Sequence, residues 1–185
     1  LAVVRPADAN EVSACWVEIV KNAKPVGLAL SRQNLPVIDR SKFKSTENVK
    51  KGAYVLAYGD ENATEKCEVI LIATGSEVHL ALAAREQLLT LGIKARVVSA
   101  PCLEWFLQQP ISYQEQVLPK KIRARVSIEA GIAQSWYQFI GDAGVPVSLE
   151  HFGASASASV LFKEFGFTVE NVVKAAKESI SKAHG

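Results

Sequence analysis

Methionine does not occur among the 185 residues, and the chain opens on Leu1. A complete polypeptide would start with methionine, so the simplest expectation is a part of a longer one. Cysteine is scarce: Cys15, Cys67 and Cys102 only. An odd number at wide, irregular spacing excludes a disulfide framework and a zinc-ligand pattern. Cys15 and Cys67 lie within apolar patterns and are expected in the core. A reducing, cytoplasmic setting fits them. No apolar run approaches the roughly 18 residues of a membrane span, and no secretory leader pattern is visible. Excess charge is missing too, with 21 basic against 19 acidic residues and a net charge of +2. A nucleic-acid binder carries a concentrated basic face, so neither nucleic acid nor membrane is expected as a partner. Also missing are the glycine signatures GxGxxG and GxxxxGK[ST], the zinc motif HExxH and the nucleophile elbow GxSxG.

What is present is apolar patterning. Hydrophobic residues make up 49% of the chain, enough for a sizeable core. The first segment reads strand, helix, strand. Leu1–Val4 is a short apolar run. Asp8, with Glu11 three residues on, makes a capping-box pattern. Val12, Cys15, Trp16, Ile19 and Val20 then share one helical face. Pro25 and Gly27 end that helix, and Val26–Leu30 is a second strand. Residues 35–52 read as a linker, with Arg40, Lys42, Lys44, Lys50 and Lys51 as a solvated basic run. Strands follow at Ala53–Tyr58 and Glu68–Ala73, the second apolar enough to be covered on both faces, with a polar turn at Asp60–Lys66 between them. Thr74-Gly75-Ser76-Glu77 is another capping-box pattern, opening a helix that Gly92 closes. Further strands fall at Ile93–Val98, Ala124–Ile128 and Val145–Leu149. Helices are expected across Leu103–Leu118, up to Ile140, at Val160–Phe165 and at Val169–Ser181, the last capped by Thr168. This alternation predicts an α/β fold: a three-layer α/β/α domain with a mostly parallel sheet, preceded by a strand–helix–strand unit.

Few residues stand out chemically. Thr74–Glu77 could offer a helix N-terminus to a phosphate. The required glycines are missing and Glu77 would repel an anion, so a plain capped turn is the stronger reading. Glu129 follows a strand at the edge where α/β proteins place ligands. It could act as a base, but without a partner in sequence it reads better as a structural or interface carboxylate. His79, His151 and His184 have no metal-ligand spacing. Arg32 stands just past a strand end, beside Ser31, Gln33 and Asn34. Its guanidinium could grip phosphate or carboxylate with two donors, although a structural salt bridge or a solvated side chain is the commoner fate of an arginine.

Several stretches, in this order and spacing, resemble transketolase. They include Arg5-Pro6-Ala7-Asp8-Ala9-Asn10-Glu11, Leu30-Ser31-Arg32-Gln33-Asn34-Leu35-Pro36, Ile72-Ala73-Thr74-Gly75-Ser76-Glu77-Val78, Ser99-Ala100-Pro101-Cys102-Leu103-Glu104-Trp105-Phe106, Ser127-Ile128-Glu129-Ala130-Gly131 and Glu150-His151-Phe152-Gly153-Ala154-Ser155-Ala156. Together they cover nearly the whole chain. The resemblance implies a homodimeric transferase of the pentose phosphate pathway. Such an enzyme moves a two-carbon ketol unit between ketose and aldose phosphates, using thiamine diphosphate held by Mg2+ or Ca2+. It also implies a division: residues 1–48 as the end of the pyrimidine-binding domain and start of the linker, 49–65 as linker and leading strand, and 66–185 as the C-terminal domain. Arg32 then matches the family arginine that contacts the sugar phosphate, which reverses the residue-level reading. No catalytic, cofactor-binding or metal-binding residue is expected here, and the segment alone is expected to be inactive. Ala100, where the family often has methionine, and the bland stretch Ser155–Ser159 depart from the family pattern without touching Arg32.

An alternative is an assembly or binding subunit of a related thiamine-diphosphate enzyme. Such a subunit should still carry the activating glutamate of the pyrimidine domain. A dihydroxyacetone synthase or a two-oxoacid dehydrogenase subunit is a further relative, but Ser31-Arg32-Gln33 favours sugar phosphates over two-oxo acids.

Overall fold

β4 (Val69–Ala73) is buried along its whole length, and its alternate side chains feed two different cores. Val69, Leu71 and Ala73 face one core; Ile70 and Ile72 face the other. A strand can do this only in the middle of a sheet covered on both sides. The structure is a computed structural model that describes residues 1–59 and 67–185. The turn expected at Asp60–Lys66 lies outside the described residues.

Five strands form the main sheet: β3 (Tyr54–Ala57), β4, β5 (Ala95–Ser99), β6 (Arg125–Ile128) and β7 (Val145–Val147). Their order is β3-β5-β4-β6-β7, with β3 antiparallel to β5 and the other pairs parallel. α2 (Glu77–Thr90) and α7 (Val169–His184) cover one face. The second core lies on the other face, where Phe106, Val117, Trp136, Phe139 and Ile140 pack. Those residues come from α3 (Leu103–Leu107), α4 (Ile111–Val117), a 3-10 turn (Ala133–Trp136) and α5 (Tyr137–Ile140). The three-layer, mostly parallel architecture read from the sequence is the architecture observed.

Before this sheet comes a small parallel unit: β1 (Ala2–Val4), α1 (Ala9–Asn22) and β2 (Val26–Leu28), with Val3 opposite Gly27. α1 starts as its sequence predicts, with Asp8 Oδ1 accepting from Glu11 N at 2.8 Å. The return half of the capping box does not form; Glu11 Oε2 accepts instead from Ala7 N at 2.8 Å. The apolar face expected of this helix is only partly covered, since Trp16 and Val20 are 51% and 70% exposed.

The stretch expected to be a solvated linker keeps Lys42, Lys44 and Lys50 exposed but is partly built in. Thr46–Lys51 winds as a 3-10 helix, and Arg40 is tied to Asp8 and Tyr54. Gly52 follows at φ +84°, where an added Cβ would stand 2.2 Å from Cys102 O. Only glycine lets the chain pass that close to α3. Cys15 and Cys102 are buried, whereas Cys67, expected in the core, is half-buried.

Candidate functional site

The strand order carries a topological switch. From β4 the chain moves to β5 on one side, then to β6 on the other. In open α/β sheets the crevice at such a point, beyond the carboxyl ends of the strands, is where ligands bind. Here that crevice lies between the segments following β4 and β6, and a side chain of the same molecule enters it, leaving a cavity of ≈ 170 Å³ beside Thr74, Glu129 and Trp136.

Arg5, one residue past β1, enters this crevice. Its backbone is pinned first. Arg5 N donates to Pro101 O at 2.7 Å, and Arg5 O accepts from Gly75 N at 3.0 Å and Thr74 Oγ1 at 3.2 Å. Gly75 sits at φ +58° directly beside the guanidinium. The guanidinium then bridges two carboxylates, with Nη2 3.3 Å from Glu77 Oε2 and Nη1 on Glu129 Oε1. Glu129 Oε2 also accepts from Trp136 Nε1. Ser76 Oγ donates to Glu77 Oε1 at 3.0 Å, so Ser76 serves its neighbour and leaves the helix uncapped by its side chain. Glu77 is 1% exposed. Burial pushes its carboxyl above the ordinary value, against the pull of Arg5 and Ser76, and the nearby Glu129 charge adds to the rise. The Thr74–Glu77 turn is therefore neither a phosphate cradle nor the expected capping box. His79 completes this edge, with Nε2 3.1 Å from Ala7 O.

A second polar cluster lies behind the first. Glu11 is fully buried, and Oε1 accepts from Tyr54 OH at 2.7 Å and from Ser99 Oγ at 2.6 Å. Tyr54 OH in turn accepts from Arg40 Nη1 at 2.9 Å. Arg40 Nη2 donates to both oxygens of Asp8, at 3.2 and 3.3 Å. Asp8 Oδ2 also accepts from Ile38 N at 2.9 Å. Burial raises the Glu11 carboxyl, opposed by the donors Ser99, Ala7 and Tyr54 and by Arg40. Together the two clusters clamp residues 3–40 to the main sheet. The sequence showed the Asp8–Glu11 pattern but not its partners, because Tyr54 and Ser99 lie 43 and 88 residues from Glu11.

Arg32 lies outside both clusters. It is exposed beyond β2 and, among the described residues, its guanidinium makes no hydrogen bond or ion pair. It lines a surface cavity of ≈ 610 Å³ with Gln33 and with Ala154–Ala158 and Leu161 from the far end of the chain. His151 is spent locally, with Nδ1 2.7 Å from Phe152 O and its ring edge-on to Phe165. His184 ends α7.

A resident divalent cation does not fit these side chains. Among the described residues, no three His, Cys, Asp or Glu side chains converge as metal ligands. The carboxylates at the switch point are already engaged by Arg5, Trp136 and Ser76.

The fold and clusters define a class: a three-layer α/β domain whose switch-point crevice is bridged by an arginine from a preceding βαβ unit. The comparisons place it within that class. The family described as "Transketolase-like TK C-terminal domain" matches residues 52–168. The transketolase of Mycobacterium leprae is 50% identical over 181 residues, covering 96% of this chain and 26% of that protein. The structure of transketolase from Leishmania mexicana superposes with a TM-score of 0.87 at 36% identity, over 100% of this chain and 26% of that one. That of a Pichia stipitis transketolase in complex with sedoheptulose 7-phosphate gives 0.84 at 38% identity, over 97% of this chain and 25% of that one. The chain belongs to the transketolase family and corresponds to its C-terminal part, spanning about a quarter of the length of these relatives.

Proposed function

We propose that this chain supplies the C-terminal support and one substrate-phosphate contact of a ketol transferase acting on sugar phosphates, with Arg32 as the contact. In this reading residues 1–48 close the pyrimidine-binding domain, 49–65 form the linker and leading strand, and 66–185 form the C-terminal domain. The whole enzyme is a cytoplasmic homodimer of the pentose phosphate pathway that uses thiamine diphosphate and a divalent cation. The reacting carbon is handled outside this chain. Among the described residues, no helix is long and apolar enough to cross a membrane.

The observation that carries the reading is the state of Arg32. The two clamp arginines, Arg5 and Arg40, both hold carboxylates, whereas Arg32 is exposed on the wall of a cavity and, among the described residues, has no protein partner. A guanidinium held open in this way suits a dianion, which it can meet with two charge-assisted hydrogen bonds. The related Pichia stipitis enzyme was solved with a sugar phosphate, in keeping with such a ligand.

The test is Arg32→Ala in the full-length enzyme, with kcat/KM measured for ribose 5-phosphate and for unphosphorylated ribose. Hydrogen bonds to charged groups are worth about 1.5–3 kcal/mol each. With water replacing part of the lost contact at this exposed site, a net loss equal to one such bond should make the effect on ribose 5-phosphate exceed that on ribose by roughly ten- to hundredfold. Arg32→Lys should recover part of it, because an ammonium keeps the charge and loses the fork. Equal losses on both acceptors would remove the phosphate role.

A further inference from the structure

The cavity that holds Arg32 has two walls from distant parts of the chain. One is the loop after β2, which carries Arg32 and Gln33; the other is the segment 154–158 with Leu161. We propose that Ser155 is a second donor to the phosphate held by Arg32, so that the C-terminal domain itself takes part in selecting phosphorylated sugars. This rests on the assignment of Arg32 as the phosphate contact.

Four observations carry it. First, none of the residues lining the cavity is acidic, so nothing on either wall repels a dianion. Second, the hydroxyls of the far wall are not equivalent. Ser157 Oγ lies 3.2 Å from Ser159 Oγ and is partly occupied, while Ser155 has no hydrogen-bond partner among the described residues. A free hydroxyl facing the same cavity as a free guanidinium is a common pairing for phosphate oxygens, since both donate without bringing negative charge. Third, Ala154 and Ala156 flank Ser155. Methyl side chains leave the cavity open at ≈ 610 Å³, room enough for a sugar phosphate.

Fourth, the segment is held at both ends. Before it, the His151 ring meets Phe165 edge-on at 4.8 Å between centroids. After it, Val160 N and Leu161 N donate to Ser157 O at 3.1 and 3.0 Å, and Phe162 packs on Phe167. A hydroxyl on such a segment is positioned before the ligand arrives, which lowers the ordering cost of binding.

The test uses the full-length enzyme with Ser155→Ala, Ser155→Asp and Ser155→Thr beside Arg32→Ala. Initial rates are measured with ribose 5-phosphate and with ribose. Ser155→Ala should raise KM for ribose 5-phosphate about three- to tenfold, and Ser155→Asp more than tenfold, through like-charge repulsion. Ser155→Thr, which keeps the hydroxyl, should stay within about twofold of wild type. In the alanine and aspartate variants the effect on ribose 5-phosphate should exceed that on ribose. Three outcomes would overturn the inference. If Ser155→Asp leaves the ribose 5-phosphate KM within twofold while Arg32→Ala raises it, the Arg32 assignment stands and Ser155 plays no part. If Ser155 variants lose equally on both acceptors, the segment supports the fold only. If Arg32→Ala itself shows no phosphate selectivity, the underlying assignment falls and takes this inference with it.

Discussion

Two buried glutamates show at the scale of single residues how the chain trades charge for attachment. Glu11 and Glu77 are both nearly inaccessible, and burial raises both carboxyls above their ordinary value of 4.5. A carboxyl whose folded pKa is raised binds its proton more tightly in the native state. Its contribution to stability is therefore fully present below the unfolded pKa and is lost as pH rises through the folded one. Stability should accordingly decline as pH is raised above about 4.5 toward neutrality. The exposed carboxyls of Asp39, Asp142, Glu150 and Glu178 are lowered, so their effect has the opposite sign and falls at more acid pH. Denaturant midpoints measured from pH 4.5 upward check this. Glu11→Gln should flatten the decline while lowering stability throughout, because its amide would face the Ala7 N–H that Glu11 Oε2 now accepts. An unchanged slope in that variant would show that Glu11 does not titrate in this range. Only half of this was legible in sequence. Asp8 and Glu11 announced a helix start three residues apart, but the partners that make Glu11 a buried hub are brought to it by the sheet.

Among the elements, legibility followed how local the determining forces are. β4 was readable because a strand covered on both faces must be apolar at every position. α7 was readable because its cap, Thr168 accepting from Asn171 N at 3.2 Å, lies within one turn. The helix expected to run to Ile140 was misread: it breaks into a 3-10 turn at Ala133–Trp136 and a single α turn. Carboxylates on either side of the segment hold its two ends. Ala133 N donates to Glu150 Oε1 at 2.9 Å, and Trp136 Nε1 donates to Glu129. The βαβ unit β1-α1-β2 was legible as elements but not as a clamped body. Its attachment depends on Arg5, which the sequence offered only as part of a family stretch. Removing that guanidinium leaves Glu77 buried without its cation, and losing one partner of a buried pair costs more than the pair contributes. Arg5→Ala should therefore loosen the whole unit. Amide exchange in β1, α1 and β2 should quicken together by about tenfold or more, with β4 and β6 little changed. Faster exchange spread evenly over β4 and β6 as well would mean that Arg5 supports the main sheet instead of the joint.

Across the molecule as a whole, the ligand crevice of an α/β sheet has become a joint between two parts of the chain. The place where such a sheet would take a small molecule holds Arg5, and an open cationic side chain, Arg32, sits elsewhere, on the loop after β2 facing residues 154–158. The family is established over residues 52–168, and its relatives are about four times as long as this chain. The role proposed for this chain is support and phosphate recognition, with the cofactor bound outside it. The direct test is titration calorimetry of the 185-residue chain with thiamine diphosphate and Mg2+. No saturable heat is expected; saturable binding in the micromolar range would show that these residues bind the cofactor themselves.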